Sequence, residues 1–137
     1  MRWLHHSGLL LLASILAVLP IASGCGSSDG LVGLGGTVTF DGTPISEGRI
    51  QFRSTTGDLK AYSARIENGK YEIRVEPGEA AVQIYASRPV PGKFEEVNPG
   101  EKDQVGEMYI PERYNSRTEL SVNVEGPKED QDFALTP

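Results

Sequence analysis

The sequence predicts an all-β fold, a seven-stranded antiparallel β-sandwich that follows an amino-terminal export segment. Past residue 35, the apolar residues recur at every second position, which is the period of a strand with one buried face. Turn-forming residues separate these runs at intervals of about ten residues. No stretch of similar length has helical spacing together with helix caps. Because each run has only one apolar face, these faces can be buried only against a second sheet.

The first 24 residues have the order of a signal peptide. A short basic start at Arg2 precedes an apolar stretch over 9–19, and small residues follow Pro20. As a helix this stretch would be about 16 Å long, well short of the roughly 30 Å hydrocarbon core of a bilayer. We therefore expect a cleaved lipoprotein signal peptide over 1–24 and no permanent transmembrane helix.

Cys25, the only cysteine of the chain, follows Ser23 and Gly24 directly. This order resembles the lipobox of bacterial lipoproteins. The resemblance implies cleavage after Gly24, a thioether-linked diacylglycerol on Cys25 and acylation, for example with palmitate, of its new amino terminus. Such chains anchor a protein stably, since each buried CH₂ contributes about 0.8 kcal/mol. The alternative is ordinary secretion, with Cys25 left as a free thiol.

The expected location is the outside of a bacterial membrane. Gly26 follows the lipidation site and lacks the Asp that marks inner-membrane retention in some sorting systems. By that resemblance, the outer membrane or the periplasmic face is favoured over the cytoplasm.

The mature chain is acidic and lacks histidine. Without residues 1–24 it has 12 lysines and arginines, because Arg2 is lost, against 19 acidic residues, and its formal charge is −7. This balance argues against nucleic acid as a partner. Without histidine or a second cysteine, nucleophilic triads and zinc or copper sites lack their usual groups. We therefore expect no cofactor, no metal and no enzymatic activity.

Residues 25–35 are predicted to form the lipidated cysteine and a flexible Gly/Ser-rich tether, and residues 36–137 one domain. The predicted strands of this domain lie over 37–40, 49–53, 62–66, 70–75, 80–86, 120–124 and 133–135. The clearest is 70–75, where Tyr71, Ile73 and Val75 alternate with charged residues.

Two dipeptides predict tight hairpin turns. Asn68-Gly69 and Asp41-Gly42 suit the type I′ turn, which needs positive φ at both positions. Asp41-Gly42 is expected to connect the first two strands, with Pro44 at an edge or bulge. The register around Asn68-Gly69 pairs Glu67 with Lys70 and Arg65 with Glu72 on the wet face, and Ile66 with Tyr71, Ala64 with Ile73 and Tyr62 with Val75 on the core face.

The segment 88–117 interrupts the pattern with four prolines and no sustained alternation. It is predicted to be a long connection, of a length that is often functional or mobile. Its charged middle, 95–103, is expected to project into solvent, and its more apolar end, 108–115, to dock on the sandwich.

Three side chains of the domain are candidates for ligand contact. Tyr85 is a possible glycan platform because the alternation over 80–86 places it on the wet face. Arg113 and Tyr114 could present a cation and a ring to a partner. The alternative is that Tyr114 pins the long segment to the sheet. The acidic residues over 125–132 are interpreted as a turn and not as a calcium site, because their spacing is not that of an EF-hand.

The segments 36–45, 48–52 and 69–73 resemble carboxypeptidase-regulatory-like domains of the transthyretin-like (prealbumin-like) group, and 110–116 and 132–135 resemble small bacterial lipoproteins with one such domain. The resemblance implies a seven-stranded accessory module without catalysis. Related hydrolases use histidines, which the mature chain lacks. The expected function is a structural or protein-interaction module of the cell envelope with an unidentified protein partner. The alternative is a lipoprotein that binds glycan or peptide through the Tyr85 face or the 89–117 segment.

Overall fold

The computed structural model describes residues 29–137. The predicted signal peptide, Cys25 and the first residues of the predicted tether lie outside this range. The described chain is nearly all β, as predicted. Its strands are β1 (Val32–Phe40), β2 (Thr43–Pro44), β3 (Glu47–Ser54), β4 (Ala61–Glu67), β5 (Lys70–Val75), β6 (Gly78–Tyr85), β7 (Ser87–Asn98), β8 (Glu101–Met108), β9 (Ser121–Val124) and β10 (Phe133–Leu135), with a single 3₁₀ turn at Glu112–Tyr114.

Eight strands form one curled sheet in the order β10-β1-β5-β4-β3-β6-β9, with β2 beside β1. The pairs are antiparallel except for β1 and β10, which run parallel. Phe52 on β3 and Phe133 on β10 are four strands apart, which in a flat sheet would separate them by about 19 Å. Their ring centroids are 6.2 Å apart. The two halves of the sheet therefore face each other across one core, consistent with a β-sandwich.

The core contains side chains from both halves of the sheet. Tyr71 on β5 lies 6.1 Å from the Phe52 ring and 6.2 Å from the Phe133 ring. Its hydroxyl donates a hydrogen bond of 2.7 Å to the Gln131 carbonyl. Burial raises the pKa of Tyr71, and the Asp132 carboxylate raises it further. This aromatic cluster joins β3, β5 and β10.

All seven predicted runs lie in or overlap strands, and the two predicted turns have the expected backbone. Asn68 and Gly69 take φ values of 51° and 77°, and Asp41 and Gly42 take 50° and 75°. A Cβ on Gly69 would also lie 2.6 Å from the Pro44 Cβ. Asp41-Gly42 connects β1 to the short β2 and does not form the predicted hairpin with the next long strand. That strand, β3, pairs with β4 and β6 instead.

The first strand begins inside the predicted tether. β1 starts at Val32, which pairs with Val75, and Leu34 is buried in the core. Gly33, Gly35 and Gly36 around it gave this segment the composition of a linker. Residues 32–35 are strand, because Leu34 gains burial there and the backbone gains a partner in β5.

The predicted hairpin between β4 and β5 is confirmed at the turn, but the predicted strand pairing beyond it is wrong. Glu67 pairs with Lys70, as predicted, but the pairs proposed further along, from Ile66–Tyr71 to Tyr62–Val75, do not form. β4 instead pairs with β3 along its whole length, and β5 pairs with β1. The two strands diverge because each belongs to a different half of the curled sheet.

The segment predicted as a long connection contains two further strands. β7 and β8 form a separate two-stranded sheet, called here the β-arm (Ser87–Met108). The end of the segment docks on the sandwich as expected, since Ile110 is buried and Tyr109 packs edge-to-face on Phe40. Among residues 29–137, no helix is long and apolar enough to cross a membrane.

Candidate functional site

The β-arm is exposed along nearly its whole length. All its residues are exposed except Val90 and Val105, which are half-buried. It presents three of the four large apolar side chains that are exposed in residues 29–137, namely Phe94 at 60% exposure, Val97 at 49% and Met108 at 46%. A two-stranded ribbon alone is marginally stable in water. The exposed apolar side chains on such an element make it a candidate for contact with a partner.

The base of the arm explains how it leaves the sandwich. The pairing of β7 with β8 shifts register between Pro89 and Phe94, where two prolines lack an N–H group and Gly92 takes φ 75°. At the base, the Tyr109 amide donates to the Ala86 carbonyl at 3.3 Å. The Arg88 guanidinium lies 5.8 Å from the Tyr109 ring centroid. These contacts fix the root and leave the rest of the ribbon projecting.

The tip of the arm is ordered by its own polar groups. The Gly100 amide donates to the Glu96 carboxylate at 2.8 Å, and the Asn98 side-chain amide donates to Glu101 at 2.9 Å. Residues 93–103 contain four acidic and two basic side chains. The Phe94 ring is therefore displayed on a short, preorganised and mainly acidic ribbon.

Tyr85 lies on the outer face of the sheet, as the alternation predicts. The register aligns it with Arg49 on β3 and Arg65 on β4 in one row across three strands. The Arg49 guanidinium lies 5.3 Å from the Tyr85 ring centroid. Together with Met108 at the arm base, they line a shallow depression of about 590 Å³. Because Arg49 covers one face of the ring, a sugar would have to stack on the other face or displace the cation.

Arg113 and Tyr114 lie together in the 3₁₀ turn, and the structure ties both to the end of β10. The Arg113 guanidinium lies 4.7 Å from the Tyr114 ring and donates to the Thr136 carbonyl at 2.7 Å. The Thr136 amide donates to the Tyr114 hydroxyl at 3.2 Å. Hydrogen bonds from Thr136, helped by the Arg113 cation, lower the pKa of Tyr114 to about 8. Within residues 29–137, Tyr85 shares no hydrogen bond or ring contact with either residue.

The acidic segment before β10 is tied to β1. Asp132 accepts hydrogen bonds from the Thr37 amide at 2.6 Å and the Thr37 hydroxyl at 2.9 Å. These bonds hold the pKa of Asp132 below its usual value. In the part of the chain that the structure describes, no group of three or more His, Cys, Asp or Glu side chains is placed to hold a metal ion.

The sequence reasoning did not single out Phe94 or Arg49. An isolated aromatic in a charged stretch was the available signal for Phe94. For Arg49, the signal was its strand position two residues from Gln51, which places it on the wet face. Neither pattern shows which strands become neighbours. Cys25 lies outside the described residues.

No family model matches the chain, and no curated protein matches it. Among solved structures, it is similar to part of a 9R-lipoxygenase from Cyanothece PCC8801 at 12% identity and a TM-score of 0.43. The match covers 79% of this chain and 16% of the lipoxygenase chain. This match to part of an enzyme contradicts the prediction that this chain has no enzymatic activity. The likeness is too weak to assign an activity.

Proposed function

We propose that this chain is a lipid-anchored lipoprotein of the bacterial cell envelope that contacts a protein partner through the β-arm. In this proposal Cys25 carries the lipid, and the domain has the seven-stranded transthyretin-like topology of carboxypeptidase-regulatory-like modules, to which β2 and the arm are additions. The observation that carries the interaction role is the arm itself, an ordered ribbon that exposes Phe94 and Val97 to solvent.

The direction of β6 places the arm at the end of the domain opposite the lipid anchor of the proposal. β6 begins at Gly78, next to the end of β5 that pairs with the start of β1, and ends at Tyr85. Seven residue steps along a strand span roughly 24 Å. The arm leaves from the far end of β6, so its root lies on the side of the sandwich opposite the start of β1. In a protein anchored at Cys25, the root of the arm therefore lies at the end of the domain that is far from the lipid.

The chemistry of the arm defines the partner that fits it. Phe94 supplies a large apolar anchor of the kind that dominates binding energy at interfaces. The acidic residues around it, Glu95, Glu96 and Asp103, suit a basic rim on the partner and speed the encounter electrostatically. The expected partner surface is an apolar pocket lined at its edge by lysine or arginine. Pairing would also protect a ribbon that is marginal by itself.

Site-specific photocrosslinking in intact envelopes tests this proposal. A photoreactive amino acid at Phe94 is compared with the same group at Leu59, which is equally exposed but lies at the other end of the sandwich. We expect a discrete protein adduct from position 94 that is absent from position 59. Substituting Lys for Glu95 and Glu96 together is expected to weaken that adduct. Equal labelling from both positions would contradict a role for the arm.

A Cys25→Ser variant tests the anchor separately. The full chain is expressed with labelled fatty acid, and membranes are separated by detergent partitioning. The unsubstituted chain is expected to carry label and enter the detergent phase, and the variant to do neither. A variant that still carried label would contradict lipidation at Cys25.

A further inference from the structure

The start of the described chain and an exposed loop lie at the same end of the sandwich. Asp29 forms an ion pair of 2.8 Å with Arg74, and Val32 pairs with Val75. The next residue, Glu76, forms an ion pair of 2.5 Å with Lys60, at the end of the loop between β3 and β4. This loop, residues 55–60, therefore lies at the same end of the domain as Asp29.

Leu59 is displayed at this end in an unfavourable backbone conformation. It is 62% exposed, the highest value among the large apolar side chains exposed in residues 29–137. Its φ is 52°, in the left-handed region that a leucine rarely takes because its Cβ crowds the following carbonyl. A leucine that is mostly exposed gains little burial within the domain in this conformation, and such backbone outliers cluster at functional sites.

The surrounding loop is held rather than free. The Thr55 amide donates to the Glu79 carbonyl at 3.0 Å, and the Ser54 amide donates to the Lys60 carbonyl at 2.8 Å. The Ser54 hydroxyl donates to the Thr56 carbonyl at 2.7 Å. These bonds fix both ends of the loop, so the outward position of Leu59 is built into the fold.

The chain between Cys25 and Asp29 is short. Four residue steps extend to at most about 14 Å. The predicted tether was longer, but β1 includes residues 32–35, and Asp29 before it forms an ion pair with Arg74. If Cys25 is lipidated, Asp29 stays within about this distance of the lipid headgroups, and Leu59 lies at the same end of the domain as Asp29.

We propose that Leu59 inserts into the lipid surface that holds Cys25 and so docks the domain on the membrane in a defined orientation. This inference rests on the proposed lipidation. The occupant is a lipid surface and not a protein, because the short connection keeps this end beside the bilayer. Two cations at this end, Arg74 and Lys60, are paired with Asp29 and Glu76, and the docking proposed here is apolar insertion of the Leu59 side chain.

Tryptophan fluorescence tests the docking, because the only tryptophan of the chain is Trp3. Trp3 is removed with the signal peptide in the proposed mature lipoprotein, so the lipidated Leu59→Trp and Phe94→Trp variants each carry one tryptophan and are compared directly. Each lipidated protein is reconstituted into phosphatidylcholine vesicles whose acyl chains carry bromine as a quencher. We expect Leu59→Trp to shift its emission to the blue and lose most of its intensity. Phe94→Trp should keep the emission of a solvent-exposed indole.

Two results would overturn the inference: unquenched emission from Leu59→Trp in protein that floats with the vesicles, or equal quenching at both positions. The first result leaves the lipid anchor intact. Loss of vesicle flotation in Cys25→Ser tests that anchor independently, so the two proposals can fail separately. If Leu59→Trp does not fold, Leu59→Cys gives a second measurement. With Cys25 consumed in its thioether, a spin label on residue 59 reports its depth in the bilayer.

Discussion

Phe94→Ala is expected to leave the fold almost unchanged, although it removes a large aromatic side chain. Phe94 is 60% exposed, so less than half of its surface is covered in the free protein. Full burial of such a side chain is worth about 1.5–3 kcal/mol. The loss in unfolding free energy should therefore stay below about 1.2 kcal/mol, a fall in Tm of no more than about 10 °C for a domain of this size.

Phe52→Ala is the matched control, because Phe52 has no exposed surface and lies in the aromatic cluster of the core. Its loss should cost about 3–5 kcal/mol. Urea unfolding followed by far-ultraviolet circular dichroism measures both values, and equal m-values would show that the same structure unfolds. A loss of 2 kcal/mol or more for Phe94→Ala would refute the reasoning, because the ring would then be packed in the free protein and unavailable to a partner.

Three further predictions concern the pH dependence and the exposed loop. Hydrogen bonds from Thr136 lower the pKa of Tyr114 to about 8. The unfolding free energy of the protein should therefore rise relative to that of Tyr114→Phe between about pH 8 and pH 10. The phenolate absorbance of the folded protein should show a group that titrates near pH 8. The hydrogen bonds from Thr37 lower the pKa of Asp132. The stabilising effect of this carboxylate should be present above about pH 4 and be lost as the pH falls through its pKa in the folded protein. Acid unfolding curves of the protein and of Asp132→Asn should therefore converge at low pH and separate at higher pH. Leu59→Asn should raise the unfolding free energy by about 1 kcal/mol, since asparagine tolerates the left-handed backbone, and a decrease in a urea titration would show that Leu59 packs within the domain.

The strands of the sandwich were predictable because a strand that buries one face has apolar residues at every second position. This holds from Val38 to Leu135 wherever a strand faces the core. The same reasoning explains why β7 and β8 were missed. Neither strand buries a face, so their residues carry no alternation, and the prolines at the arm base indicated a connection. Leu34 was missed for a different reason, because its glycine neighbours gave the segment the composition of a flexible linker.

The candidate contact residues were only partly predictable. Alternation correctly placed Tyr85 on the outer face, but its Arg49 neighbour comes from a strand more than 30 residues earlier in the chain. The position of Phe94 on a projecting ribbon depends on a partner strand, and the position of Leu59 at the same end of the domain as Asp29 depends on the path of β5. These are long-range relations that no local pattern contains.

The sequence by itself determined the seven strands that bury one face and the tight turns at Asp41-Gly42 and Asn68-Gly69, because burial period and local φ preference act within a few residues. It also supplied Cys25 as the proposed anchor. Only the tertiary structure decided that β4 and β5 separate after the pair Glu67–Lys70 and join different halves of the sheet. The reason is that an alternating strand can pair along either edge, and its partner is chosen by how all the apolar faces can be buried at once.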